Sequence, residues 1–206
     1  MQNGKRNNAT GKAKIYIDTC VLQGILSKEA EDTVFLNGIK EKGWEIYTSI
    51  HTLMELLDVA KDRKFLIKTV FGKWQSVNFF LRNRDKKSLN INELEDVSQE
   101  LNSFFIDHKF IVFGNITEDV WNDVKLIVEK SNLHYSDALH LAMARMWACH
   151  ILVTHDQFFI REGNRILKEA GTYDEIRICD IDKVEEVIAD LQKMKGMKRL
   201  QLNGRD

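Results

Sequence analysis

Four acidic residues stand where apolar runs stop. Asp18 closes "KIYID", Asp156 follows "HILVT", Asp137 opens "SDALHLAMA", and Glu55 lies one turn into "IHTLMELLDVAKD". Each follows a strand-like run or begins the helix-like run beyond one. In open α/β sheets that edge, outside the carboxyl ends of the strands, is where ligands bind. Each acid also has a plainer account. Asp18 and Asp156 can cap the helices that follow them, Asp137 can satisfy a helix N-terminus, and Glu55 can be a surface acid with a lysine partner. The conjunction needs four coincidences on one sheet edge. Two carboxylates ~6 Å apart at an effective dielectric near ~20 repel by roughly 3 kcal/mol, and six such pairs approach ~15 kcal/mol. A whole domain is stable by only ~5–15 kcal/mol. A converged cluster must therefore bind cations, take up protons or recruit Lys or Arg. All-oxygen ligands suit the hard divalent ions Mg2+ or Mn2+, whereas thiolate or imidazole ligands point elsewhere.

Neighbouring residues are weighed in the same way. Thr154 can donate a hydrogen bond to an acid or to a phosphate, or can be simply a strand former. Asp58 shares a helix face with Glu55, and facing solvent and Lys61 is the expectation for it. His140, one turn after Asp137, and His155, beside Asp156, have the pKa range of a general acid. Within "ALHLA", a packed or hydrogen-bonded His140 is expected.

The elements that must position these residues alternate. "KIYID" (14–18), "WEIYTS" (44–49), "FIVFG" (110–114), "HILVT" (150–154) and "IRICD" (176–180) read as strands. Helical patterns lie at 29–42, 50–62, 90–108, 117–131, 136–150 and 182–195. Asn90 or Asn92, Thr117 and Ser136 are the expected N-caps. The alternation predicts a parallel sheet with helices on both faces. Residues from about 58 to 109 carry no convincing strand and read as an all-helical insertion. The expected organisation is a flexible basic arm at 1–13, a core domain at 14–182, and a C-terminal helix with a basic tail at 183–206.

With 206 residues and 44% hydrophobic content, the chain can build a real core. No apolar run approaches the ~20 residues of a membrane span. The polar start "MQNGKRNNATGKAK" has no apolar signal region, so "NAT" reads as a chance glycosylation triplet and the cytoplasm is the expected location. Cys20, Cys149 and Cys179 form no CxxC pair, which argues against a zinc site and more strongly against a disulfide framework. The net charge of −1 hides an asymmetry: Lys61 to Lys87 carries nine basic residues against two Asp, and Asn90 to His140 ten acids against three Lys. The basic stretch interleaves its cations with Phe65, Phe71, Trp74, Phe79 and Phe80, a pattern that suits single-stranded nucleic acid. The alternative favoured for those aromatics is burial, as the core of the insertion or in a dimer contact. Arg82, Arg84, Lys86 and Lys87 are the candidate RNA contacts.

The blocks "IYIDTCVL", "SIHTLMELL", "LHYSDALHLAMA" and "ILVTHDQFF" resemble those of the PIN-domain nucleases. The last two are the most specific: an Asp opens an Ala- and Leu-rich helix, and an apolar strand then ends in Thr-x-Asp followed by aromatics. The resemblance implies a three-layer α/β/α fold around a parallel sheet of about five strands, with Asp18 and Asp156 on neighbouring central strands. It implies Mg2+- or Mn2+-dependent endoribonuclease activity on mostly single-stranded RNA, leaving 5′-phosphate and 3′-hydroxyl ends. Asp18, Asp137 and Asp156 would hold one or two ions, directly or through water, and Glu55 would join the metal site by holding a metal-bound water or would orient the attacking one. Small members of the family are VapC-type toxins, so an antitoxin partner comes with the resemblance, and a homodimer is a separate expectation from the aromatics of the basic stretch. This chain is longer than such toxins, through the insertion and tail. Two rivals are a non-catalytic RNA-binding or scaffold protein on the same fold and a haloacid-dehalogenase-type phosphatase. The second needs another Asp two residues after the first, where Cys20 stands.

Overall fold

The computed structural model describes residues 12–86 and 88–203, with side chains up to residue 194. Most of the N-terminal arm, Lys87 and the end of the tail lie outside the described residues. Five short strands, β1 (Lys14–Ile17), β2 (Glu45–Ser49), β3 (Ile111–Gly114), β4 (Ile151–Val153) and β5 (Arg177–Cys179), form one sheet. Its order is β3-β2-β1-β4-β5 and every neighbouring pair is parallel. Parallel strands need crossovers, and helices supply them. They are α1 (Thr19–Leu26), α2 (Ala30–Glu41), α3 (Ile50–Leu66), α4 (Val77–Asn83), α5 (Ile91–Asp107), α6 (Glu118–Lys130), α7 (Tyr135–Met146), α8 (Gln157–Glu169) and α9 (Val184–Asn203).

Period-two alternation in the strands divides the core into two layers. Ile15 and Ile17 of β1 and Ile151 and Val153 of β4 point to one face, where Val21, Leu36, Leu56, Leu101 and Ile188 pack. Tyr16 and Leu152 point to the other, against Val124, Leu141 and Phe159. Each fully buried aliphatic side chain adds about 1.5–3 kcal/mol. The result is the three-layer α/β/α arrangement.

The chain runs from β1 outward to β2 and β3, then crosses back to place β4 on the other side of β1. The β1/β4 boundary is thus the topological switch point, the place where open α/β sheets bind their ligands. The register pairs Ile17 with Val153, so the residues after both strands emerge there side by side. On the β2 side no loop intervenes. Ser49 ends the strand and also caps α3, its hydroxyl accepting from the Thr52 amide. This sets the first turns of α3, with His51 and Glu55, at the same edge.

Three sequence expectations are corrected. The N-cap of α7 is His134, whose ring accepts from the Ser136 amide, because the Ser136 hydroxyl is used elsewhere. The helices α1 and α8 are additional to the helical patterns, and Asp18 and Asp156 cap them. The aromatics of the basic stretch are not a shared core. Phe65 is 2% exposed, but Phe71, Trp74 and Phe79 are 66, 89 and 40% exposed. Trp74 has a left-handed φ of 53°, after a six-residue π-helical turn (Ile67–Gly72). From residue 58 to 109 the described residues form helices and turns without a strand.

Candidate active site

Asp18 is the most enclosed of the four acids, at 7% exposure. One carboxylate oxygen accepts at 2.6 Å from the amide of Thr19, the first residue of the helix that Asp18 precedes. The other accepts from the Thr154 hydroxyl at 2.7 Å, so Thr154 braces Asp18 across the β1/β4 boundary. Asp156 caps α8, its Oδ1 accepting from the amides of Phe158 and Phe159 at 2.8 and 2.9 Å. Its own amide donates to the Thr154 hydroxyl at 3.1 Å. The capping account and the clustering account are therefore both true of these two residues.

Asp137 lies in the first turn of α7. Burial, and then the charges of Asp18 and Asp156, push its pKa up to about 6, against the pull of His140 and His134. The three aspartates form one electrostatic group. Among the described residues, no Lys or Arg is paired with any of them or with Glu55.

Glu55 has a different environment. Both its oxygens are saturated: one by Ser136 Oγ and His51 Nε2, the other by Thr19 Oγ1 and His140 Nε2. Burial alone would raise its pKa, but the bonds from His140, His51 and Ser136 outweigh it and hold the carboxyl far below the usual range. His140 is 1% exposed and is packed and hydrogen-bonded, as expected, yet it also lies inside the cluster. Its Nε2 is 3.0 Å from Glu55 and 3.2 Å from Asp18, while Nδ1 meets the Tyr16 hydroxyl at 3.0 Å. Burial disfavours the cation, but the contacts with Tyr16, Asp18 and Glu55 prevail and raise its pKa. His155 faces away, between Asp32 and Asp180 at 2.8 Å each. Asp58 is exposed on α3.

The family model for the PIN domain matches residues 15–163, which is most of the chain and includes all four acids. The chain belongs to the PIN domain family. Members of this family are usually nucleases. A search of curated proteins finds no match. Among solved structures, the chain is similar to a toxin–antitoxin complex from Klebsiella pneumoniae, at 17% identity and a TM-score of 0.44, over 69% of this chain and 86% of that one. A likeness at that level says nothing about what this chain binds.

Within the PIN domain, the structure brings Asp18, Asp137, Asp156, Glu55 and Thr154 to one end of the sheet. Of the candidate nucleic-acid contacts, Arg82 and Lys86 are exposed, Arg84 is 2.5 Å from Asp62, and Lys87 lies outside the described residues. Sequence reasoning passed over Thr19, His51 and Ser136. The i,i+4 spacing of His51 and Glu55 is a readable signal. Thr19 and Ser136 adjoin Asp18 and Asp137, but their contacts to Glu55 span 36 and 81 residues.

Proposed function

We propose that this protein is a metal-dependent endoribonuclease that hydrolyses phosphodiester bonds in single-stranded RNA, acting in the cytoplasm as the toxin of a toxin–antitoxin pair. The observation that carries the reading is the aspartate group. Asp18, Asp137 and Asp156 crowd at the switch point with no Lys or Arg partner among the described residues, and Asp137 is raised to about 6 by its neighbours' charge. A divalent cation is the counter-charge such an all-oxygen group fits, with Mg2+ or Mn2+, one ion or two, as the candidates.

Asp18, Asp137 and Asp156 would hold the ion. When bound, it supplies Lewis-acid polarisation of the phosphate and a water of lowered pKa. Thr154 fixes the orientation of Asp18, and Asp156 is fixed by the two amides it caps. Glu55, held far below the usual pKa range, is a poor proton acceptor at neutral pH. Its part is to orient the attacking water through its hydroxyl and imidazole partners. Arg82 and Lys86 are proposed to contact RNA phosphates, and an antitoxin and a homodimer are the proposed protein partners.

The test is cleavage of a labelled single-stranded RNA in Mg2+ or Mn2+. The expected result is internal cleavage leaving 5′-phosphate ends, lost in EDTA. Asp18→Asn should reduce it by roughly a hundredfold or more, beyond the effect of an outer-sphere partner. RNA binding without cleavage would favour the non-catalytic reading, and cleavage that survives both EDTA and Asp18→Asn would end the nuclease one.

A further inference from the structure

We propose that His51, Glu55 and His140 form a second cation position, distinct in chemistry from the three aspartates, that takes a nitrogen-accepting divalent ion such as Zn2+. The nuclease reading uses oxygen ligands alone. Here two imidazoles converge on one carboxylate, and imidazole suits Zn2+ and its neighbours, while Mg2+ keeps to oxygen and gives up water reluctantly.

The geometry supports this in three ways. First, each of the three residues offers one ligand atom, and these atoms all lie within 4.8 Å of one another. Zinc bonds of about 2.0–2.1 Å place the ligand atoms of a tetrahedral ion about 3.3 Å apart. The separations already present are 3.2 Å from His51 Nε2 to Glu55 Oε1 and 3.0 Å from His140 Nε2 to Glu55 Oε2. The two contacts use different oxygens of Glu55, so an ion bound to one oxygen needs the other imidazole to move towards it.

Second, the ligands are aimed. His140 is buried, and the Tyr16 hydroxyl holds its Nδ1, so Nε2 is the nitrogen presented to Glu55. A metal-bound histidine characteristically has such an outer partner on its other nitrogen. His51 and Glu55 project from consecutive turns of α3, and His140 comes from α7 across the gap. Ser136 and Thr19 hold the carboxylate between them.

Third, three protein ligands leave one coordination position open, as in catalytic zinc sites. The His51 and Glu55 side chains are 16 and 29% exposed, which gives an ion a way in from solvent. Metal-free, the same atoms hydrogen-bond to one another, and the ion replaces protons there. Asp18 Oδ1 lies 3.2 Å from the same His140 Nε2, so this position adjoins the aspartates directly. The inference rests on the donor set and not on RNA cleavage.

The test is titration of the whole protein with Co2+, a spectroscopic stand-in for Zn2+. The expected result is visible ligand-field absorption that saturates at one equivalent, is removed by Zn2+ and persists in a large excess of Mg2+. His51→Gln should weaken Co2+ binding by about tenfold or more while keeping the native circular dichroism and melting temperature. Asp156→Asn should leave it nearly unchanged. His140 is too buried to serve as the only variant, and the wild-type spectrum decides the matter without it. Absence of the absorption, its loss to Mg2+, or loss in Asp156→Asn with or without loss in His51→Gln would overturn the proposal. None of these results depends on RNA hydrolysis, so failure here leaves the aspartate reading standing and failure of that reading leaves this one.

Discussion

Asp137 bears the cost of the cluster. Its pKa rises from 3.8 to about 6 through burial and the charges of Asp18 and Asp156. Between those values the folded, metal-free protein binds more protons than the unfolded chain, so stability falls as pH rises through this window. Below about pH 4 the penalty is absent, and above about pH 7 it is complete, at about 1–3 kcal/mol. Asp137→Asn should therefore stabilise the metal-free protein by that amount at pH 7–8 and by almost nothing at pH 4, read by urea unfolding in EDTA. Added Mg2+ should narrow the gap at neutral pH, because an ion that binds only the folded state stabilises it. A gap that is flat with pH would mean that the three carboxylates do not interact. At this scale the acids and Thr154 are legible in the sequence, because an acid at the end of an apolar run is conspicuous. The hydroxyls of Thr19 and Ser136 are not, since Ser136 is an ordinary helix-start residue until Glu55 is seen beside it.

The elements meet at His155, the neighbour of Asp156. Its two ring nitrogens bridge Asp32 of α2 and Asp180 after β5. Burial works against its charge, but the two carboxylates raise its pKa. Asp32, 2% exposed, reaches this position only because Gly24 has no side chain, since a Cβ there would lie 1.7 Å from Asp32 Oδ2. Gly24→Ala should displace Asp32, break the bridge and cost about 2–4 kcal/mol in urea unfolding. In an Asp32→Ala background the same change should cost far less, because both substitutions act on one contact. The five strands are legible as short β-branched and aromatic runs between turns. The short helix α1, "TCVLQGIL", is not, because a run that is apolar almost throughout shows no face. The close approach of Gly24 to Asp32 is tertiary and leaves no mark on the sequence.

Across the whole molecule, the two blocks of opposite charge answer each other in part. Arg63, Lys64 and Lys68 at the end of α3 and just beyond it pair with Glu100, Asp96 and Glu93 of α5, and Arg84 with Asp62. The charge count shows the asymmetry but not how much of it the fold consumes. What the pairing leaves exposed includes Arg82 and Lys86. If RNA lies there, Arg82→Ala with Lys86→Ala should reduce the slope of log affinity against log salt by about 0.7 per cation lost. Arg84→Ala should change it less, because its charge is already engaged. Binding measured from low to moderate salt checks both, and an unchanged slope in the double variant would remove RNA from this surface. The parallel order of the sheet is legible from strand–helix alternation, but the placement of β4 beside β1 came only with the family resemblance.

That placement has a consequence for biosynthesis. Asp18 leaves the ribosome early, yet the strand that lines up beside it ends at Val153, and the third aspartate follows at residue 156. At roughly 5–20 residues per second, several seconds of translation separate the first carboxylate from the last. A nascent chain or a fragment stopping short of β4 has no assembled centre. Any chemistry that needs all three aspartates is thus absent throughout most of the protein's own synthesis.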